Sequence, residues 1–259
     1  MQAGVLCTNR TGGGHYGRAL TRPGRCGTGA SFYVPRMAKK RLKNVRVAVL
    51  AADGFEQVEV TIPVKALRKQ GADVRIISLR PGRIRGINFL WRGKKLPVDD
   101  TVFTADANDY GALLLPGGFI NPDLLRQSQR ALAFVQEFDR ARKPIATLCH
   151  GPEVLISAGL TKGRMLTSWP GIADDVRNSG GRWESAPLVR DGNWVSSRAP
   201  YDLPAFNDGM ISIYEALAPR NLPAPRRRFR WFASLIRAAT LAGVGYGLLR
   251  AGRRLAAAA

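Results

Sequence analysis

Ile145-Ala146-Thr147-Leu148-Cys149-His150-Gly151-Pro152-Glu153-Val154-Leu155 is the stretch on which the fold turns. An apolar run follows Pro144 and ends in Cys-His-Gly-Pro, and a helix-compatible segment begins at once. Four apolar or β-branched residues suit a buried strand, while Gly151 and Pro152 supply turn and first-turn chemistry. The expectation is therefore strand, sharp turn, helix, with Cys149 at the turn. Unpaired backbone N–H groups and the dipole at a helix N-terminus favour thiolate over thiol. His150, the next residue, can serve as base or orienting partner. A buried structural cysteine is the plainer alternative, because cysteine is among the most buried residue types.

Working outward, the pattern alternates between strand and helix. Val45–Leu50 reads as a strand and Asp53-Gly54 as a turn. Residues from about Gln57 to Gln70 read as a helix with Val60, Val64 and Leu67 on one face and Gly71 as its stop. Val74–Leu79 is a second strand. Residues 83–103 alternate weakly, with Gly86, Gly93 and Pro97, and suggest an antiparallel excursion. Ala112–Leu115 is a continuous apolar run, as expected for a strand covered on both faces, and it ends at Pro116-Gly117-Gly118. A helix over about Ser128–Arg142 leads into Ile145–Leu148. Met165–Ser168 and Val195–Ser197 read as later strands and Leu203–Leu217 as a closing helix. This order implies an α/β fold, a doubly wound and mostly parallel sheet with helices on both faces. In such sheets sites form beyond the carboxyl ends of strands, where Asp53 to Glu59, Pro116-Gly117-Gly118 and Cys149-His150 all fall.

The net charge of +21 over 259 residues resembles that of a nucleic-acid binder until it is located. All 19 acidic residues lie between Asp53 and Glu215, and that middle segment has a net charge of +2. The basicity belongs to two acid-free tails, so the folded part offers no obvious basic face for nucleic acid. Cys7, Cys26 and Cys149 fall at no metal-ligand spacing, and the middle segment's single cysteine suits a reducing, cytoplasmic compartment. No cofactor is implied.

Residues 1–44 are Gly- and Arg-rich without sustained apolar periodicity, which suggests disorder or a gene-model extension with translation starting at Met37. Residues 218–230 form a Pro/Arg-rich linker. Residues 231–259 read as an apolar-basic C-terminal helix, with Arg237 the only charge from Trp231 to Leu249. Basic residues at both ends and an aromatic pair near one suggest an anionic membrane surface engaged by residues 226–259. A terminal helix packed on the domain is the alternative.

Chemistry follows from the convergence of strand ends. Gly117 and Gly118 lack Cβ atoms, so their N–H groups can approach a reacting carbonyl oxygen and, with the N–H of His150, form an oxyanion hole. Glu56 and Glu59 sit where the first helix opens; either caps the helix dipole on a solvated face or places a carboxyl group beside the sulfur. The chain has only His15 and His150, so an imidazole in this site must be His150. That leaves no second histidine for a zinc site and argues against a Ser-His-Asp arrangement elsewhere.

Asp53-Gly54-Phe55-Glu56-Gln57-Val58-Glu59, Leu115-Pro116-Gly117-Gly118 and Cys149-His150-Gly151-Pro152 together resemble the PfpI family of intracellular cysteine peptidase-like proteins. Thr167–Asp175 and Asp191–Arg198 extend the resemblance, which spans about Val45 to Leu217. It implies the flavodoxin-like fold of the class I glutamine amidotransferase and parkinsonism-associated deglycase superfamily. It also implies roles: Cys149 as nucleophile, His150 as adjacent imidazole, Glu59 as the buried acid on the sulfur, and Gly118 as oxyanion-hole glycine. A third acidic member supplied by a neighbouring subunit would be Asp123, although a longer loop and a shorter side chain alter its reach. The implied partners are a small carbonyl or glycated substrate and further copies in a dimer or hexamer. The implied activities are glyoxalase, deglycase or peptidase, all opening with thiolate attack on a carbonyl. A shallow elbow with one imidazole suits small carbonyls. A redox sensor or stress chaperone, with Cys149 oxidised and held by Glu59, is the alternative of a different class.

Overall fold

The computed structural model describes residues 40–223. Met37 and residues 224–259, with the start site and membrane contact expected of them, lie outside this range. Among the described residues no helix is long and apolar enough to cross a membrane.

The elements follow in chain order. β1 (Arg46–Leu50) and the two-residue β2 (Phe55–Glu56) lead into α1 (Gln57–Lys69), then β3 (Asp73–Ser78). β4 (Arg83–Asn88) and β5 (Trp91–Pro97) form an antiparallel hairpin, followed by β6 (Asp100–Thr101) and β7 (Ala112–Leu115). α2 (Ile120–Arg126), α3 (Gln129–Arg140), β8 (Ile145–Leu148) and α4 (Pro152–Ser157) come next. β9 (Met165–Leu166), α5 (Ala173–Asn178), β10 (Arg182–Trp183), β11 (Val189–Asp191), β12 (Trp194–Ser197) and α6 (Leu203–Leu217) complete the domain.

Seven strands form the main sheet in the order β11-β12-β8-β7-β1-β3-β6, parallel throughout except for the β11–β12 pair. β1 pairs with β3 on one side and β7 on the other, so the winding reverses between β1 and β7. The fully apolar strands are explained by two-sided burial. Val47, Val49, Leu114, Ala146 and Leu148 face α1 and α6, packing with Val60, Val64, Leu67, Phe206, Met210 and Tyr214. Their sequence neighbours Ala48, Leu50, Leu113, Leu115 and Ile145 face α3 and α4, with Leu132, Val135, Phe138, Val154 and Leu155. Adjacent strand residues point to opposite faces, so a strand buried on both needs an unbroken apolar run. Burying each valine, leucine or isoleucine among them stabilises the fold by about 1.5–3 kcal/mol.

The expected antiparallel excursion is the β4–β5 hairpin, which joins β2 in a separate three-stranded sheet. Of the expected strand Met165–Ser168, only Met165–Leu166 forms ladder pairs, and these are with β10. Thr167 instead donates its N–H to Ser196 Oγ at 2.9 Å, and both Thr167 and Ser168 are buried. The two ends of the domain are stitched together. Arg41 pairs with Glu215 at 2.7 Å, Asn44 Nδ2 donates to Asn221 Oδ1 at 2.7 Å, and Leu42 shares a core cluster with Ala218.

Candidate active site

Cys149 leaves β8 with φ at 57°, in the left-handed region that costs a non-glycine residue roughly 1–2 kcal/mol. Such strain persists only where the surroundings over-determine it. Here Cys149 N–H donates to Ser197 O at 3.1 Å, Cys149 O accepts from Trp169 N–H at 2.9 Å, and Gly151 N–H closes on Leu148 O at 2.9 Å. β12, the loop after β9 and the turn itself thus fix the elbow. Its sulfur lies 3.3 Å from His150 Nδ1, and the backbone N–H groups of His150 and Gly118 are close enough to favour negative charge on it.

Glu59 arrives from the first turn of α1 and is fully buried. Gly117 N–H donates to its Oε2 at 2.7 Å, and its carboxyl group also hydrogen-bonds the Cys149 side chain. The second link is loose, since Oε1 has no partner of good hydrogen-bond geometry. Backbone and acid meet only because Gly117 is bare: a Cβ there would lie 2.7 Å from Cys149 Cβ and 2.8 Å from Glu59 Oε2. Gly118 has φ at 95°, and a side chain there would run into Gly54 O.

Burial pushes the Glu59 carboxyl up to about 8, aided by the charge of Glu56 and opposed by the Gly117 N–H and the thiol. Burial also pushes the Cys149 thiol well above its usual range, reinforced by the charge of Glu59 and its hydrogen bond. The N–H groups of His150 and Gly118 oppose that rise. The expected thiolate at a helix N-terminus is therefore corrected in sign. α4 has six residues, and its end does not outweigh desolvation and a neighbouring carboxylate. The thiol and the carboxyl form a coupled pair, and their first negative charge belongs to both. His150 is lowered from its ordinary value by burial and is a neutral imidazole at physiological pH.

The solvated-face alternative for Glu59 is overturned by its burial. Three further expectations also change. Gly117 N–H is committed to Glu59, so the N–H groups of Gly118 and His150 are the ones gathered at the sulfur. Glu56 does not join them; its Oε2 accepts the N–H of Phe89 at the hairpin tip at 2.9 Å. Asp123, expected in a loop, lies in the first turn of α2, exposed and held by Gln127 Nε2 at 3.1 Å. Within the chain, no carboxylate among the described residues hydrogen-bonds His150. Among those residues no three His, Cys, Asp or Glu side chains converge on a metal position.

Sequence reasoning missed Asn121. Fully buried, it accepts Ala52 N–H at 2.7 Å and donates to Pro116 O at 2.9 Å and Gly117 O at 3.1 Å. One side chain thereby ties the end of β1 to the double-glycine loop. A polar residue between Ile120 and Pro122 was the signal. Phe119 and Trp169 were missed as well: Phe119 packs edge-on against the His150 ring at 4.9 Å, and Trp169 stacks on it at 6.0 Å.

The chain is 41% identical over 169 residues to a protein named deglycase in Thermococcus kodakarensis, covering 65% of this chain and 99% of that one. A Bacillus subtilis relative, named provisionally as a cysteine protease, is 42% identical over 169 residues, covering 65% and 97%. Among solved structures, a two-domain protein from Anabaena variabilis with DJ-1/ThiJ/PfpI-like and ferritin-like domains matches with a TM-score of 0.60 and 30% identity. That match covers 72% of this chain and 51% of the other. The family model for DJ-1/PfpI matches residues 45–213, which contain the sheet, the elbow and the buried glutamic acid alike, and the chain belongs to the DJ-1/PfpI family.

Proposed function

We propose that the chain is a cysteine-dependent enzyme acting on small reactive carbonyls, of the glyoxalase or deglycase kind, with Cys149 as nucleophile. One observation carries this reading: a strained elbow brings one sulfur against two backbone N–H groups and a carboxyl that holds its proton to about pH 8. The deglycase name of the Thermococcus kodakarensis relative supports it.

In the reacting form the pair's proton sits on Glu59 and its charge on sulfur. With methylglyoxal, sulfur bonds to the aldehyde carbon, the carbonyl π pair moves to oxygen, and that oxygen takes the Glu59 proton. The N–H groups of Gly118 and His150, released from the thiolate, face the new oxygen. Neutral His150 then removes the proton from the former aldehyde carbon and returns it to the neighbouring carbon. The hydroxyl proton passes to the neighbouring oxygen, and the former aldehyde carbon regains its C=O bond. The product is a lactyl thioester, and water cleaves its C–S bond. The sum is methylglyoxal plus water giving lactate and a proton, with no oxidant or reductant. On a glycated amine, sulfur attacks the same carbon and the amine leaves with a proton.

Lactate release by the full chain is the test. It is expected to fall about 10³-fold or more in Cys149→Ala. Equal turnover in the two, with selective oxidation at that sulfur, would transfer the site to the redox-sensor reading. A peptidase reading requires Asp123 of a second copy to reach His150, and its support is the exposed position of Asp123 and the Bacillus subtilis relative's name. Peptide cleavage lost in Asp123→Ala at unchanged assembly would favour it.

A further inference from the structure

Apolar surface is unevenly placed around this site. Nine large hydrophobic side chains stand exposed among the described residues, and five of them, Phe89, Leu90, Trp91, Phe119 and Ile120, occupy two segments. One segment is the tip of the β4–β5 hairpin and the other follows Gly118 directly. Phe89 and Phe119 join them edge to face, with ring centroids 6.3 Å apart. Phe119 in turn contacts the His150 ring, which Trp169 stacks upon. An apolar rim therefore runs from the hairpin to the imidazole beside the reactive sulfur. In the single chain Phe119 keeps 47% of its surface exposed and Phe89 keeps 66%, so together they present an apolar surface of the kind that marks a binding site.

The hairpin tip is also held in an unfavourable conformation. Phe89 has φ at 59°, outside the range a bulky residue prefers. The Glu56 carboxylate holds it there by accepting its N–H at 2.9 Å. This contact gives Glu56 a task that the chemistry leaves open: it fixes the ring that packs on Phe119.

We infer that Phe119 and Phe89 form a specificity-determining wall that selects carbonyl compounds bearing an aryl or bulky apolar group. The contact of Phe119 with His150 beside Cys149 is the juxtaposition on which this rests. The inference builds on the carbonyl reading above. An aldehyde bound at the sulfur with its substituent turned outward lays that substituent against Phe119. A phenyl group gains ring contacts there that a methyl group cannot make, and one such contact discriminates by about tenfold or more.

The experiment uses the full chain and two pairs of probes. The first is turnover of phenylglyoxal to mandelate against methylglyoxal to lactate, compared as kcat/KM. The second is alkylation of Cys149 by 2-bromoacetophenone against bromoacetone, each rate divided by that of glutathione. Wild type is expected to favour the aryl member of each pair by about tenfold. Phe119→Ala should bring both ratios near one, Phe89→Ala should lower them less, and Phe103→Ala, an exposed residue elsewhere, should leave them unchanged. If Phe119 only positions His150, Phe119→Ala slows both members alike and the ratios persist, which overturns the inference. Ratios near one in wild type overturn it too. Absent turnover of either aldehyde would defeat the carbonyl reading, while an alkylation preference lost in Phe119→Ala would still uphold the wall.

Discussion

The elbow after β8 and the tip of the β4–β5 hairpin both hold a non-glycine residue at positive φ, Cys149 at 57° and Phe89 at 59°. Their surroundings differ in kind. Cys149 is 8% exposed and fixed by backbone groups from three segments, whereas Phe89 is mostly exposed and fixed by one carboxylate. Glu59 and Glu56, three residues apart, divide in the same way: the first is sealed beneath the sulfur and the second caps the hairpin. Reactive atoms belong where many constraints overlap, and recognition belongs on a projecting element that can differ between related chains without disturbing the chemistry.

The sharpest way to break this contrast is to remove the sulfur. Cys149→Ala is expected to lose about 10³-fold or more in carbonyl turnover, with hairpin changes acting on substrate preference instead. Glu59→Gln comes next. Alkylation of Cys149 by iodoacetamide should rise only above the ordinary thiol range in wild type, because burial and the Glu59 carboxylate hold the proton on sulfur. With glutamine the charge and hydrogen bond that hold the proton on sulfur are removed, so the rise moves to lower pH and the rate at pH 8–9 increases. Identical profiles would dissolve the pair.

The same substitution has a thermodynamic signature. Glu59 holds its proton more tightly when folded, so the unfolded chain releases it first as pH rises from about 4.5 to about 8. Its contribution to stability is complete below the lower value and lost above the higher one. Glu59→Gln should therefore melt above wild type at pH 8–9, and the gap should close toward pH 4. A constant gap would rule out the raised carboxyl.

Asn121→Ala leaves buried donors and acceptors of Ala52, Pro116 and Gly117 unmatched, and urea unfolding should show a loss of about 2–4 kcal/mol. Glu56→Gln is expected to have the smallest effect, lowering the phenylglyoxal-to-methylglyoxal ratio by about threefold with stability nearly unchanged. A larger effect on methylglyoxal than on phenylglyoxal would place Glu56 at the sulfur after all.

The framework was legible because its signals are local and repetitive. Unbroken runs at Val47–Leu50, Leu113–Leu115 and Ile145–Leu148 announce two-sided burial, and Gly-Pro after Cys149 announces the elbow. Glu59 was nameable as a candidate, but its burial depends on Gly117 leaving room from 58 residues away. The direction of the thiol's shift was not legible, because desolvation depends on packing that no window of sequence displays. α2 escaped notice because its stability rests on Asn121 reaching into the β1 and β7 loops rather than on helical periodicity. The aromatic contacts on His150 come from two separate segments, at Phe119 and Trp169, and become neighbours only in the folded chain.

The stitched ends of the domain have a practical consequence. Arg41, Asn44, Glu215 and Asn221 join at the amino-terminal edge of the sheet, where β1 begins, whereas the reactive sulfur sits at the edge where β8 finishes. Fusion partners, surface tethers or affinity handles grafted at position 40 or 223 enter at the side remote from the sulfur. The two positions can also be bridged by a short linker, which makes this domain a natural candidate for relocating its termini.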